Sequence, residues 1–114
     1  MQYMCLIYGP KDLELSPAES EKMYADYGAF TQDARASGKM VDGAPLQGIE
    51  TATTVRVREG KRVVTDGPFA ETKEFLGGFY TFECGTLDEA LDWAAKIPGA
   101  KYGSIEVRPI WPLA

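Results

Sequence analysis

The chain of 114 residues is 45% hydrophobic and 25% charged, which predicts one globular domain over residues 1–114 without a disordered tail. Its formal net charge of -5 at pH 7 makes direct contact with nucleic acid unfavourable. The sequence contains no histidine, which excludes Ser-His-Asp, Cys-His and His-metal chemistry, and we expect neither a metal site nor a cofactor.

Residues 2–9 form an apolar run that ends at Gly9-Pro10 and predicts a first strand. Alternating positions are apolar on both of its faces, with Tyr3, Cys5 and Ile7 on one face and Met4, Leu6 and Tyr8 on the other. Because neither face suits solvent, we expect helices to cover one face and a second copy of the chain to cover the other.

The first helix begins at a capping box, with Ser16 as N-cap, Pro17 at the first helical position and Glu19 at the third. Gly38 is the expected stop. One apolar stripe follows helical spacing through Met23, Tyr27, Phe30 and Ala34. These signals predict a helix of about five turns.

The middle of the chain is predicted to be extended, first over residues 39–48 and then in two β-branched runs between residues 51 and 65. Glu59-Gly60 separates these runs, which predicts a β-hairpin, and we expect Arg56, Arg58 and Arg62 on its wetter side. Asp66-Gly67-Pro68-Phe69 then breaks the strand, and a charged loop leads to Gly77-Gly78 and the strand FYTFEC.

A second capping pattern at Thr86 and Glu89 predicts a second helix that stops at Pro98-Gly99, and SIEVRPI predicts the last strand. The order is that of an α+β, ferredoxin-like βαββαβ fold with an inserted β-hairpin. Such a fold has an antiparallel sheet with both helices on one face. Lone Cys5 and Cys84 lie in its apolar strand runs, where we expect buried free thiols.

Four segments together resemble the DGPF group of the YCII-related family: YMCLIYG, VVTDGPFAETKEFLGGFYTFE, LDEALDWAAKIPGA and SIEVRPI. The resemblance covers nearly the whole chain. It implies a ferredoxin-like protomer that pairs through its sheets into a dimeric α+β barrel, with a small pocket between sheet and helices. It also implies a possible link to small aromatic or lactone compounds, on which a few relatives act, and to extracytoplasmic-function sigma factors, beside which some members are encoded.

This chain lacks one feature that is common in the wider family. Its members commonly carry a histidine on the first helix, proposed to form a dyad with an aspartate. Alignment on the glycine that ends the helix places Tyr27 at the histidine position and Ile97 at the aspartate position. The dyad chemistry therefore does not carry over to this chain.

Asp66 is the candidate catalytic base; besides a plain surface role, two interpretations of it stay open. Its carboxylate can cap the turn of the DGPF motif, or it can lie partly buried at a pocket mouth, where desolvation raises the pKa of a carboxyl. Phe69 of the same motif and Lys73 in the following loop are candidate ligand contacts. A solvated loop with local ion pairs is the structural alternative for Lys73 and its acidic neighbours.

Three further residues are candidate ligand contacts. Glu106 and Arg108 alternate on the last strand and should share a face, where they either meet a ligand or pair across a dimer interface. Tyr27 is either a core tyrosine with a satisfied hydroxyl or a pocket tyrosine that orients or protonates a ligand.

Two functions are compatible with these residues. The leading one is a small-molecule-binding protein; as an enzyme it would be a lyase or isomerase acting by proton transfer, with Asp66 as base and Lys73 or Arg108 as electrostatic stabilisers. The alternative is a noncatalytic regulatory or binding module, possibly linked to sigma-factor signalling. No run approaches the roughly 20 apolar residues of a membrane span, and no signal core begins the sequence, so we expect a cytoplasmic protein without membrane contact. With the apolar faces of the first strand, this gives a cytoplasmic homodimer as the expected form.

Overall fold

The computed structural model describes residues 1–112, which form two α-helices, six strands and two short 3-10 turns. In chain order the elements are β1 (Gln2–Pro10), α1 (Pro17–Ala36), β2 (Met40–Pro45), a 3-10 turn (Ile49–Thr51), β3 (Thr53–Arg58), β4 (Lys61–Asp66), β5 (Glu74–Glu83), α2 (Leu87–Lys96), a 3-10 turn (Pro98–Lys101) and β6 (Ser104–Pro109). No helix in this part of the chain is long and apolar enough to cross a membrane.

The strands form two separate sheets. The main sheet has the order β2-β5-β1-β6 with every neighbouring pair antiparallel, and β3 pairs only with β4. Once the hairpin is set aside, β1-α1-β2-β5-α2-β6 is the ferredoxin-like arrangement. The predicted fold class, with its inserted hairpin and antiparallel sheet, is confirmed.

Both α-helices begin and end at the residues that the local sequence signals indicate. Ser16 Oγ accepts from the Glu19 amide at 3.1 Å, and Glu19 Oε1 accepts from the Ser16 amide at 3.0 Å. The bond from the Ser16 amide lowers the pKa of the Glu19 carboxyl, and the Ser16 side chain adds to this effect. Gly38, just beyond the end of α1, has a φ of 75°, a left-handed conformation that glycine adopts without steric cost.

The core lies between the main sheet and the two α-helices, which cover the same sheet face. Its buried apolar residues are Cys5, Phe30, Ala34, Tyr80, Phe82, Cys84, Ala90, Ala94 and Ile97. Phe82 stacks on Trp93 with ring centroids 5.1 Å apart, and Phe30 meets Tyr80 edge-on at 5.1 Å. Both cysteines are buried and free, as expected, and burial raises the pKa of the Cys5 thiol to about 11.

Two details differ from the sequence-based expectation. β5 begins at Glu74, before Gly77-Gly78, because its first residues pair with Gly9 and Pro10 at the end of β1. The arginines of the hairpin do not share one side, since Arg62 lies opposite Val57 whereas Arg56 lies opposite Val63. Directly opposed residues share a face, so Arg62 points away from Arg56 and Arg58.

Candidate functional site

Two tyrosine hydroxyls lie between α1, the main sheet and the 3-10 turn at Pro98–Lys101. Tyr27 is half-buried on α1, and its Oη accepts a hydrogen bond from the Gly99 amide at 3.0 Å. Tyr80 is buried on β5, and its Oη lies 2.7 Å from Thr31 Oγ1, one turn after Tyr27 on α1. We call these four groups, from Tyr27, Thr31, Tyr80 and Gly99, the phenol cluster.

Burial keeps the Tyr27 phenol protonated. Desolvation is the largest effect and raises the pKa of Tyr27, whereas the bond from the Gly99 amide opposes that rise and the nearby Tyr80 adds to it. A phenol has one proton to donate and can also accept. The acceptor side is occupied by Gly99, and no acceptor among residues 1–112 takes the proton.

The 3-10 turn packs tightly against this hydroxyl. A Cβ built on Gly99 would lie 2.5 Å from Tyr27 Oη and 3.3 Å from Ile7 Cγ2. Glycine is therefore required for the amide to reach the phenol without displacing it. A surface groove of about 250 Å³ lies between α1 and this turn; its lining residues, none of them in the phenol cluster, are Glu19, Lys22, Met23, Asp26, Pro98, Lys101 and Tyr102.

The DGPF turn is shaped by its backbone. Gly67 has a φ of 99°, its amide donates to the Ala52 carbonyl at 2.8 Å, and its own carbonyl accepts from Thr54 Oγ1 at 2.8 Å. The Asp66 carboxylate is exposed, and no hydrogen bond to it occurs within residues 1–112. Neither the capping bond nor the partly buried position considered for Asp66 is present in the single protomer.

The rest of the motif and the following loop lie at the end of the main sheet. Phe69 is exposed, and its carbonyl accepts from Arg56 Nη2 at 3.1 Å. The Lys73 carbonyl accepts from the Lys11 amide at 3.2 Å. The Lys11 ammonium pairs with Glu71 at 3.2 Å, which makes local ion pairing part of this loop, although no ion pair joins Asp66 to Lys73 in the described chain.

Glu106 and Arg108 lie on the sheet face opposite the helices, which we call the open face. Register places Leu6 between Phe79 and Glu106, and Met4 between Thr81 and Arg108. Both charged side chains are exposed and form no ion pair within residues 1–112. The expectation that they share a face is confirmed.

The six candidate residues thus lie in three places. Tyr27 lies on the helix side, Glu106 and Arg108 lie on the open face, and Asp66, Phe69 and Lys73 lie around the β4–β5 loop. Sequence reasoning missed Tyr80, Thr31 and Gly99 as partners of the Tyr27 region. Thr31 follows Tyr27 by four residues on one helix face and could have been found by spacing, whereas Gly99 lies 72 residues away and carries no local signal.

The fold and the phenol cluster define a ferredoxin-like α+β protein with polar groups enclosed between α1 and the sheet. The chain belongs to the YCII-related domain family, whose model matches residues 1–114. It is 40% identical over 114 residues to an uncharacterized protein of Rhizobium meliloti (strain 1021), with 96% of this chain and 92% of that protein covered.

A solved structure shares the fold. It is the 5-chloro-2-hydroxyhydroquinone dehydrochlorinase TftG from Burkholderia phenoliruptrix AC1100, in complex with 2,5-dihydroxybenzoquinone. The TM-score is 0.58, with 18% sequence identity over 97% of this chain and 94% of that chain. This likeness supports the fold assignment.

Proposed function

We propose that the protein binds a small oxygenated ring compound at the phenol cluster, with the Tyr27 hydroxyl as hydrogen-bond donor. The observation that carries the proposal is a half-buried phenol that accepts from the Gly99 amide and has a proton free to donate. A donor held in this way favours a ligand oxygen that carries or develops negative charge. The ligand of TftG, a fold relative, belongs to this chemical class.

The raised pKa of Tyr27 decides its role. A phenol whose pKa is raised is both a poor base and a weak acid at neutral pH, so Tyr27 orients a ligand by hydrogen bonding and does not abstract a proton from it. If the protein catalyses proton transfer as a lyase or isomerase, the base must come from elsewhere. Asp66 is our candidate, with Lys73 as electrostatic stabiliser and Phe69 as a further contact, all three around the β4–β5 loop. Glu106 and Arg108 lie on the sheet face away from Tyr27, so we assign them to the dimer interface.

Titration calorimetry with 2,5-dihydroxybenzoquinone tests the binding proposal. Tyr27→Phe removes one hydrogen bond and keeps the ring, so we expect the dissociation constant to rise by roughly 3- to 10-fold. Tyr24→Phe is the matched control, because Tyr24 lies on the same helix but is exposed and should leave affinity unchanged. Equal binding by wild type and Tyr27→Phe would contradict the proposal.

We further propose a homodimer that pairs through the open faces. Met4, Leu6 and Phe79 form an apolar centre there, and Glu106 and Arg108 lie two residues apart beside it. In a two-fold symmetric interface each Glu106 can pair with the partner's Arg108, so the same surface patch forms the interface on both subunits. Light scattering of Leu6→Lys should show a monomer, whereas Leu91→Lys on exposed α2 surface should not change the mass.

Asp66 is open to solvent in one protomer, and a base with a raised pKa needs desolvation. Its catalytic role therefore depends on cover from a second chain or from the ligand. Asp66→Asn should abolish turnover of a substrate while preserving binding. The alternative proposal is a noncatalytic module linked to sigma-factor signalling.

A further inference from the structure

The hairpin β3–β4, which we call the arm, stands apart from the rest of the molecule. β4 is exposed along its whole length, and β3 is covered only in part, at Thr54 and Arg56. The base of the arm is closed where the Gly67 amide, just after β4, donates to the Ala52 carbonyl, just before β3. A lone two-stranded hairpin is marginally stable in water, so this arm needs a surface that covers it.

The two faces of the arm differ. Register places Val55 opposite Val64, and Val57 opposite Arg62, on one face. The other face is covered near its base, since Thr54 Oγ1 donates to the Gly67 carbonyl and Arg56 Nη2 donates to the Phe69 carbonyl. We call the first the valine face: its three valines are 61%, 65% and 51% exposed at Val55, Val57 and Val64.

The charge of the arm as a whole indicates which surface it contacts, although only Arg62 among its basic side chains lies on the valine face. Residues 53–66 carry four basic side chains, at Arg56, Arg58, Lys61 and Arg62, against two acidic ones, at Glu59 and Asp66. The rest of the chain carries eight basic and fifteen acidic residues. The arm is therefore cationic and the body strongly anionic, so a second copy of this chain offers a surface of complementary charge.

Shape agrees with this assignment. Strands of six residues give the arm a length of about 20 Å, and the molecule measures 47 × 45 × 19 Å. An arm of that length can span the thin dimension of another protomer. We propose that the arm extends over the body of a second copy and buries its valine face there. In a two-fold dimer each chain then holds the other, in addition to the open-face pairing on which this inference rests.

Two measurements on the full chain test the arm. The first is the dimer dissociation constant from sedimentation equilibrium for the triple variant Val55→Thr, Val57→Thr, Val64→Thr, which keeps β-branched residues and so preserves the strands. We expect the constant to rise about tenfold or more. Val63→Thr, on the other face, is the matched control and should leave it unchanged. Added salt should weaken the wild-type dimer, because exposed charges are screened.

The second measurement needs no variant. A dimer re-formed from ¹³C-labelled and unlabelled chains should show intermolecular nuclear Overhauser effects from the methyl groups of Val55, Val57 and Val64. If these methyls contact only their own chain, or solvent, and the triple variant dimerises as tightly as wild type, the arm inference is wrong and the open-face pairing stands. If the wild-type protein is a monomer, the arm inference and the open-face dimer are both wrong. The calorimetry of Tyr27→Phe tests ligand binding independently of either.

Discussion

The main sheet and the arm are built from similar strands but have opposite surroundings. On the helix side of the main sheet, Phe82 and Cys5 are almost completely excluded from solvent. On the arm, Val55 and Val57 occupy the same kind of alternating position and stay largely exposed. The comparison teaches that alternation of apolar residues forms a strand, whereas burial depends on whether another element is available to pack on it.

Truncation in the two regions should give the largest contrast. Phe82→Ala removes a ring that stacks on Trp93 and meets Phe30, and we expect a loss of about 3–5 kcal/mol in the free energy of unfolding. Val64→Ala on the arm should cost about 0.5 kcal/mol or less in a monomeric protomer. Urea unfolding at low protein concentration measures both. Similar losses would show that the arm is covered within its own chain.

Glycine substitutions compare the arm base with α1. Gly67→Ala places a side chain at a φ of 99° and should destabilise the protein by about 1–3 kcal/mol. Gly28→Ala in α1 meets nothing within 4 Å and should stabilise it by about 0.5–1 kcal/mol. Thermal unfolding monitored by circular dichroism gives both values. An unchanged midpoint for Gly67→Ala would mean that the DGPF turn relaxes without cost.

The last comparison concerns the start of α1. Ser16→Ala removes the N-cap and should cost about 1 kcal/mol. The folded pKa of Glu19 is lowered by its bonds with Ser16, so its contribution is present above the unfolded pKa and is lost as the pH falls through the folded pKa. Unfolding in urea between pH 7 and pH 3 should therefore show a weaker acid dependence in Glu19→Gln, which has no carboxyl to titrate, whereas Ser16→Ala keeps the backbone bond to Glu19 and most of the dependence. An identical pH profile would argue that the capping box does not persist in solution.

The candidate site could be predicted only in part. Tyr27 is a candidate because it falls at the position of the histidine that the wider family carries on this helix, and the phenol cluster gives it polar partners. Its amide partner, Gly99, comes from a turn after α2, and its neighbour Tyr80 comes from the central strand β5. Asp66 was singled out because of its motif, and only the tertiary structure shows that its carboxylate is exposed in one protomer.

The sequence by itself determined the elements of this protein and their order. The signals for these elements act over a few residues, so they can be identified without knowing the fold; examples are the capping box at Ser16, the helix stop at Gly38 and the β-branched runs. Only the tertiary structure decided which groups meet across the chain, that Arg62 and Arg56 lie on opposite faces of the arm, and that the valine face lacks cover. These outcomes depend on strand register and on packing between distant segments, which no local pattern encodes.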